Sequence, residues 1–265
     1  MAVLYDAPGP RARRRIAIWS AVSGVVLAVL LGLGLWQFAR HGQLDAARWA
    51  PFTQWPIWKY LLVGLLGTLE AAAYVAVLSA VAGVFLALGR LSGVRVVRWL
   101  ATGYIEIART LPVLLMIYVT LFALPSVGVN LPLLWKLALP LTVANAAAFA
   151  EIFRAGILSL PRGQSEAALS LGMTRAQAMR YVVLPQAVRH VTPSLVSQLV
   201  SLLKDTSLGY VVAFTELLYR AQVLSAYNHL LVQTFLVVTF IYLVCNGSLS
   251  FVAHRLRRSS ERTHG

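Results

Sequence analysis

Six long apolar runs dominate this sequence, at 16–38, 60–88, 99–124, 133–153, 191–214 and 229–253. Each is long enough for a helix to cross the hydrocarbon core of a bilayer, which takes about 20 residues. A helix also satisfies its backbone hydrogen bonds internally, as a waterless medium demands. The sequence therefore predicts an all-α integral membrane protein with six transmembrane helices. Composition agrees. Only 12% of the 265 residues are charged, against about a quarter in a soluble domain, and mean hydropathy is +0.74.

The formal net charge is +14, and 20 of the 23 basic residues are arginine. Such an excess could suggest nucleic acid. Here most arginines stand just outside the apolar runs, so they report topology and no nucleic-acid partner is expected. Arg11, Arg13, Arg14 and Arg15 precede the first run, and Arg90, Arg95 and Arg98 follow the second. Arg154, Arg162, Arg175, Arg180 and Arg189 lie between the fourth and fifth, and Arg255, Arg257, Arg258 and Arg262 follow the last. The opposite side holds Arg40, Arg48, Lys59 and Arg220. The positive-inside rule then puts both termini in the cytoplasm, which suits an even number of spans.

The first run is longer than the ~7–15 residues of a signal-peptide core, and no A-x-A site follows it. It reads as a retained anchor. Trp49, Trp55 and Trp58 read as interfacial anchors of the external segment that follows. The chain thus divides into a basic cytoplasmic N-terminus (1–15), a transmembrane anchor (16–38), an external loop (39–59), a transmembrane domain (60–253) and a basic cytoplasmic tail (254–265). The one cysteine, Cys245, excludes an internal disulfide and reads as a small hydrophobe.

One stretch departs from the apolar pattern. "EAALSLGMTRAQAMRYVVLP", residues 166–185, lies within a cytoplasmic, amphipathic segment at 158–189 that Pro161 and Gly163 open. Ala167, Ala168 and Leu171 recur at helical spacing. Gly172 can take the left-handed conformation that ends a helix. Thr174, with Gln177 three positions on, is a capping box that starts another. Ala176, Met179 and Val183 form the apolar stripe of that second helix. Pro185 disfavours helix at Leu184 and turns the chain back toward the membrane. Such a helix pair is either a structured loop packed on its own protein or a docking surface for a partner's groove. The residues alone leave both open.

Glu166, Ala167 and Ala168, followed by Gly172 and by Leu184 with Pro185, resemble the EAA motif of ABC importer permeases. "AEIFRAGILSLPRGQSEAALSLGMTRAQAMRYVVLPQA" and "LLKDTSLGY" resemble the polar amino acid branch of that family, and "ARTLPVLL" resembles its R-x-x-P-x-L segment. "VLYDAPGP" and "GQLDAARWAPFT" resemble the glutamate importer permeases of actinobacteria. The likeness runs from roughly residue 61 to the C-terminus. It implies a type I importer fold, five core helices plus one N-terminal helix, in a bacterial cytoplasmic membrane. It also implies that Glu166, Ala167, Ala168, Gly172, Leu184 and Pro185 belong to a coupling helix seated in a cleft of a separate ATPase dimer. A second, homologous permease chain and an extracytoplasmic amino-acid-binding protein complete the implied assembly, and no cofactor is implied. The three lysines, Lys59, Lys136 and Lys204, lie in no G-x-x-x-x-G-K-[ST] loop. ATP hydrolysis is therefore expected on the partner, and this chain is not expected to be an enzyme.

Ionisable groups inside a bilayer are costly and commonly mark a pathway. Glu70, near mid-depth of the second run, is a pathway group or a hydrogen-bonding partner of a neighbouring helix. Glu151 and Arg154 form a local ion pair or a gate. Lys204, Asp205, Thr206 and Ser207 offer the opposite charges that an amino acid's carboxylate and ammonium require. Gly209 would let the helix break beside them. The alternative is an interhelical salt bridge. Neighbouring helix positions face apart, so Lys204 and Asp205 are expected to have different partners. Glu106 and Arg109, on one face, are expected to pair, and Pro112 to kink or restart the third run. Asn145, Ser197 and Gln198 are polar enough to line a cavity. The five histidines form no H-E-x-x-H and no G-x-S-x-G occurs, so no catalytic or metal site is expected.

These readings converge on the permease subunit of an ATP-driven importer of polar amino acids, glutamate or a close relative such as glutamine or aspartate. The alternative is a secondary carrier driven by an ion gradient, which leaves the 166–185 helix pair without a task. A membrane-embedded enzyme would need a nucleophile, metal cluster or paired carboxylates that the sequence does not offer.

Overall fold

The computed structural model describes residues 9–262, and among these it is helical with no strand. Most of "VLYDAPGP", the first residues of the basic N-terminus and the end of the basic tail lie outside the described residues. The chain forms two compact units that divide between Trp55 and Pro56.

In the first unit, helix α1 (Pro10–Arg40) begins with proline, whose missing N–H is harmless in a first turn. Its apolar side chains are exposed on every side, Trp19, Val25, Leu30 and Leu35 among them. Gly42, with φ +64°, turns the chain into the short helix α2 (Ala46–Trp49) and a 3-10 turn (Ala50–Thr53). Trp49 donates from Nε1 to the Gln43 carbonyl at 3.0 Å, and its ring lies 6.1 Å from that of Phe52.

The second unit starts one residue into α3 (Trp55–Arg90), whose buried face reads Leu61, Gly64, Thr68, Ala71, Val75, Ser79, Gly83, Ala87. The spacing of three and four places these residues on one stripe, and their small size lets other backbones come close. There follow α4 (Arg95–Thr110), α5 (Val113–Tyr118), a π-helical turn (Val119–Ala123) and α6 (Leu124–Ser126). Helix α7 (Leu133–Ser159) lies at the centre, and α4, α5 and α10 (Leu184–Asp205) all pack on it. Between α7 and α10 come α8 (Arg162–Ser170), α9 (Arg175–Ala178) and a second π-helical turn (Met179–Val183). A 3-10 turn (Thr206–Val212) leads from α10 to α11 (Leu217–Asn228), and α12 (Leu231–Arg262) packs against α10 and α11.

Among the described residues four helices are long and apolar enough to cross a membrane, over Arg11–Arg40, Trp55–Arg90, Leu133–Ser159 and Leu231–Val252. The pair Arg95–Thr110 and Val113–Ser126 would make a fifth if it is one span, but it is bent by 96°. The expected single span at 99–124 is therefore two helices. Leu111 and Pro112 are extended where they join, as the residue before a proline prefers. The expected span at 191–214 also changes. Helix α10 starts earlier, ends at Asp205 and is not among the apolar spans, because Thr192, Ser194, Ser197, Gln198, Ser201 and Lys204 interrupt its hydrophobic character. The expected six spans become four or five by length and composition.

At Gly83 a β-carbon would lie 2.6 Å from the Phe149 Cβ and 3.1 Å from the Ala150 backbone nitrogen. Gly83→Leu is expected to force α3 from α7 and to destabilise the protein by about 1–3 kcal/mol. Thermal unfolding in detergent measures this, and an unchanged midpoint would refute the close contact.

Candidate functional site

The stretch at 166–185 folds as a tightly terminated helix pair. At the end of α8 the Gly172 N–H donates to the Leu169 carbonyl at 3.0 Å and the Met173 N–H to the Ala168 carbonyl at 3.2 Å. Gly172 has φ +82°, so this is a Schellman ending that needs a residue free to be left-handed. Thr174 and Gln177 then form a reciprocal capping box, with N–H to side-chain distances of 2.8 and 3.3 Å. Ala168, Ala178 and Val183 are buried where α8 meets the second π-helical turn. Gln186 donates to the Gln164 side chain at 3.1 Å and ties the start of α10 to α8.

Two details of the expected pair change. The inward stripe is Ala168, Ala178 and Val183, whereas Ala167, Leu171 and Ala176 are exposed. In the second helix the reason is that α9 lasts one turn and the π-helical turn then shifts the helical register, so Ala178 and Val183 face inward in place of Ala176. Leu184 and Pro185 also do not interrupt the helix. They open α10 directly after the π-helical turn, and the helix continues through them. At the apex Leu171 is 82% exposed, with Leu169, Glu166 and Ala167 exposed around it.

The charged residues of the membrane-depth helices fall into two sets. Arg90 bridges Glu151 and Glu106, the latter at 3.0 Å, and Arg154 donates to Glu151 at 2.9 Å. This network ties the end of α3 to α4 and α7. Glu106 thus pairs with Arg90, not with Arg109 as its spacing implied, because α4 lays that face against the end of α3. Arg109 is exposed and carries no ion pair among the described residues. Pro112 stands at the bend between α4 and α5. Asn145 and Gln198 join α7 to α10 at 2.9 Å.

The second set is without ion pairs. Glu70 is exposed on α3, with no hydrogen bond or ion pair among the described residues. Lys204 is exposed on α10, and Asp205 is half-buried beside it. Thr206 is buried, and its hydroxyl donates to the Leu203 carbonyl; Ser207 likewise donates to Lys204, both at 2.7 Å. Gly209 packs against Leu137 and Glu216, which holds the 3-10 turn to α7 and α11. Ser194, Ser197, Ser201 and Lys204 recur at three, four and three residues along α10, and Ser194, Ser197 and Lys204 are exposed. That polar stripe was legible as helical spacing, but only Ser197 and Lys204 stood out one at a time.

One group escaped sequence reasoning altogether. Glu216 is 0% exposed and caps α11, accepting from the Leu218 and Tyr219 N–H groups at 2.8 and 2.6 Å and from the Tyr242 hydroxyl at 3.1 Å. The Leu217 N–H donates to Thr68 on α3 at 3.1 Å. A single Glu beyond an apolar run gave no pattern to notice. Nearby, Arg220 lies 4.7 Å over the Tyr60 ring and donates to the Tyr60 carbonyl at 3.3 Å.

Residues 79–262 match the family described as the binding-protein-dependent transport system inner membrane component. The glutamate transport system permease protein GluD of Corynebacterium glutamicum is 40% identical over 222 residues, covering 82% of this chain and 81% of that protein. The probable glutamine ABC transporter permease protein GlnP of Bacillus subtilis is 39% identical over 74% of this chain and 92% of its own length. Among solved structures, the crystal structure of an amino acid ABC transporter with histidines aligns with a TM-score of 0.70 at 30% identity, covering 76% of this chain and 94% of that one. The inward-facing MetNI methionine ABC transporter shares the fold, with a TM-score of 0.65 at 21% identity. On this evidence the chain belongs to the family of binding-protein-dependent transport system inner membrane components, the permease subunits of ABC transporters.

Proposed function

We propose that this chain is the permease of an ATP-driven importer of polar amino acids, with glutamate or a close relative such as glutamine or aspartate as its substrate. The likeness to glutamate and glutamine permeases supports that class. The reading places both termini in the cytoplasm, residues 16–38 as an anchor and residues 60–253 as the importer's transmembrane domain. An ATPase dimer, a second permease chain and an external binding protein complete the assembly.

One observation carries the coupling role: the helix pair α8 and α9 is rigidly terminated, yet presents Leu171 and Leu169 outward. A self-packed loop would turn those leucines in. A groove on an ATPase subunit would take them as an apolar helix face. Glu166, Ala167, Ala168 and Gly172 shape the apex, and Leu184 and Pro185 connect it to α10. For the pathway, the polar stripe of α10 cannot face lipid cheaply. It lines water or protein, and Lys204, Asp205, Thr206 and Ser207 lie at its end. Glu70 offers a second charge, and Glu151 is held at the inner end by Arg90 and Arg154. Glu106, Arg109 and Pro112 shape the bend beside it.

Purification of this chain from its native membrane is expected to bring down an ATPase subunit carrying a phosphate loop and a second permease. Uptake surviving with no such ATPase would favour the gradient-driven carrier. Glu166→Lys and Gly172→Val are each expected to leave the protein inserted while lowering ATP-coupled uptake about tenfold or more. At Gly172 the left-handed backbone would cost valine roughly 1–2 kcal/mol. Normal uptake in both variants would refute the coupling role. Lys204→Ala and Asp205→Ala are expected to lose uptake while the ATPase still co-purifies. Unchanged uptake kinetics would make both residues structural.

A further inference from the structure

The described residues contain two π-helical turns, each five residues long and each followed at once by leucine and proline. Val119–Ala123 precedes Leu124 and Pro125, and Met179–Val183 precedes Leu184 and Pro185. The physical link is direct. A proline in a helix cannot donate to the carbonyl four residues back, and its ring collides with that carbonyl. For Pro185 this carbonyl belongs to Tyr181, and for Pro125 to Leu121, both inside the π-helical turns. Bonding to the fifth residue widens the turn and moves the carbonyl aside.

Proline alone is insufficient. Pro140 in α7 and Pro193 in α10 sit within helices assigned α throughout. At Met179–Val183 a second constraint acts, because the chain is pinned on both sides of the turn. Before it, the capping box fixes α9 and Ala178 is buried. After it, Val183 is buried and Gln186 is bonded to Gln164 of α8. A π-helical turn holds one residue more than an α-turn. Collapse to α-helix would release that residue and rotate α9 against α10 by about 100°, one residue's share of a helical turn. The two anchored flanks could not both survive such a rotation.

We propose that the Met179–Val183 turn, held open by Pro185, is the register element that fixes the angle between the helix pair α8–α9 and the membrane-depth helix α10, and that coupled transport depends on that angle. The second clause rests on the coupling role given to residues 166–185 above. Pro185 is a positioning residue in this scheme. It acts by keeping the carbonyl of Tyr181 out of the helical ladder.

The test uses the full chain in lipid nanodiscs, with Cys245→Ser and spin labels at the exposed positions Ala176 on α9 and Ser194 on α10. Pro185→Ala is expected to shift the distance between the labels. Removing the exposed residue Tyr181 in the same variant deletes the surplus residue, so the native distance is expected to return. In the reconstituted transporter, Pro185→Ala is expected to retain the ATPase subunit but lose ATP-coupled uptake about tenfold, and the combined variant to regain most of it. Rescue by a deletion is not a property of a merely structural proline. Where Pro185→Ala yields no folded protein, an alanine inserted after Tyr181 with Pro185 kept adds one residue between the same flanks and should shift the register the same way and lose coupling.

An unchanged label distance in Pro185→Ala, or no return in the combined variant, would overturn the register element. A distance that shifts and returns while uptake stays normal throughout would overturn its link to transport. A transporter whose ATPase never associates with the unaltered chain would instead defeat the coupling role, and the label distances would still decide the register.

Discussion

Close backbone approach along α3 is the contact on which the rest of the structure depends. Between helices in lipid there is little hydrophobic driving force, because lipid tails are as apolar as leucine, so association relies on packing and interhelical hydrogen bonds. Gly64, Ala71, Gly83 and Ala87 present almost no side chain, and two other segments settle onto this face. Gly64 and Gly67 receive the backbone around Thr215, Glu216 and Leu217, and Gly83 receives α7 at Phe149 and Ala150. The polar rungs need that proximity: Ser79 reaches the Thr142 carbonyl at 3.4 Å, and Thr68 accepts from Leu217. With α3 and α7 fixed, Arg90 at the end of one helix meets Glu151 on the other.

Regular packing is confined to part of the molecule. Elsewhere the helices are interrupted by identifiable causes: an extended Pro112 between α4 and α5, two π-helical turns ahead of prolines, and a 3-10 turn after Asp205. Among the described residues two non-glycine positions have positive φ, Ala213 at 57° and His229 at 56°, one on each side of α11. Half of the residues given pathway or coupling roles, Leu184, Pro185 and Lys204 to Ser207, lie beside these interruptions. Helices held by small-residue contacts supply a fixed frame, and the irregular segments supply the places where an angle between elements is set.

Much of this was legible in the sequence because membranes and caps leave strong local signals. The long apolar runs located α1, α3, α7 and α12, and the Gly172, Thr174 and Gln177 pattern located a helix end and a helix start to the residue. Two things were not legible, for different reasons. The partner of Glu106 was misread because helical spacing sees only neighbours on one helix, whereas Arg90 comes from another and arrives through packing. The π-helical turn was invisible because a proline after a helical stretch ordinarily announces a break. Only the anchoring of both flanks, a tertiary fact, turns that break into a widened turn. The same blindness to distant partners hid Glu216.

The Glu216 cap has a consequence for how the protein is made. Its carboxylate takes two donors from α11 itself, but the third, Tyr242, lies in α12, and the strand of contacts reaches Thr68 of α3 through Leu217. During synthesis α3 emerges first and α12 last. Until α12 arrives, the buried end of α11 holds an acid group whose hydrogen bonding is incomplete, in a medium that penalises this heavily. Seating α11 and inserting the last helix are therefore one energetic event. A chain halted before Tyr242 carries all the groups of the helix pair and the polar stripe, yet lacks the residue that closes the cap.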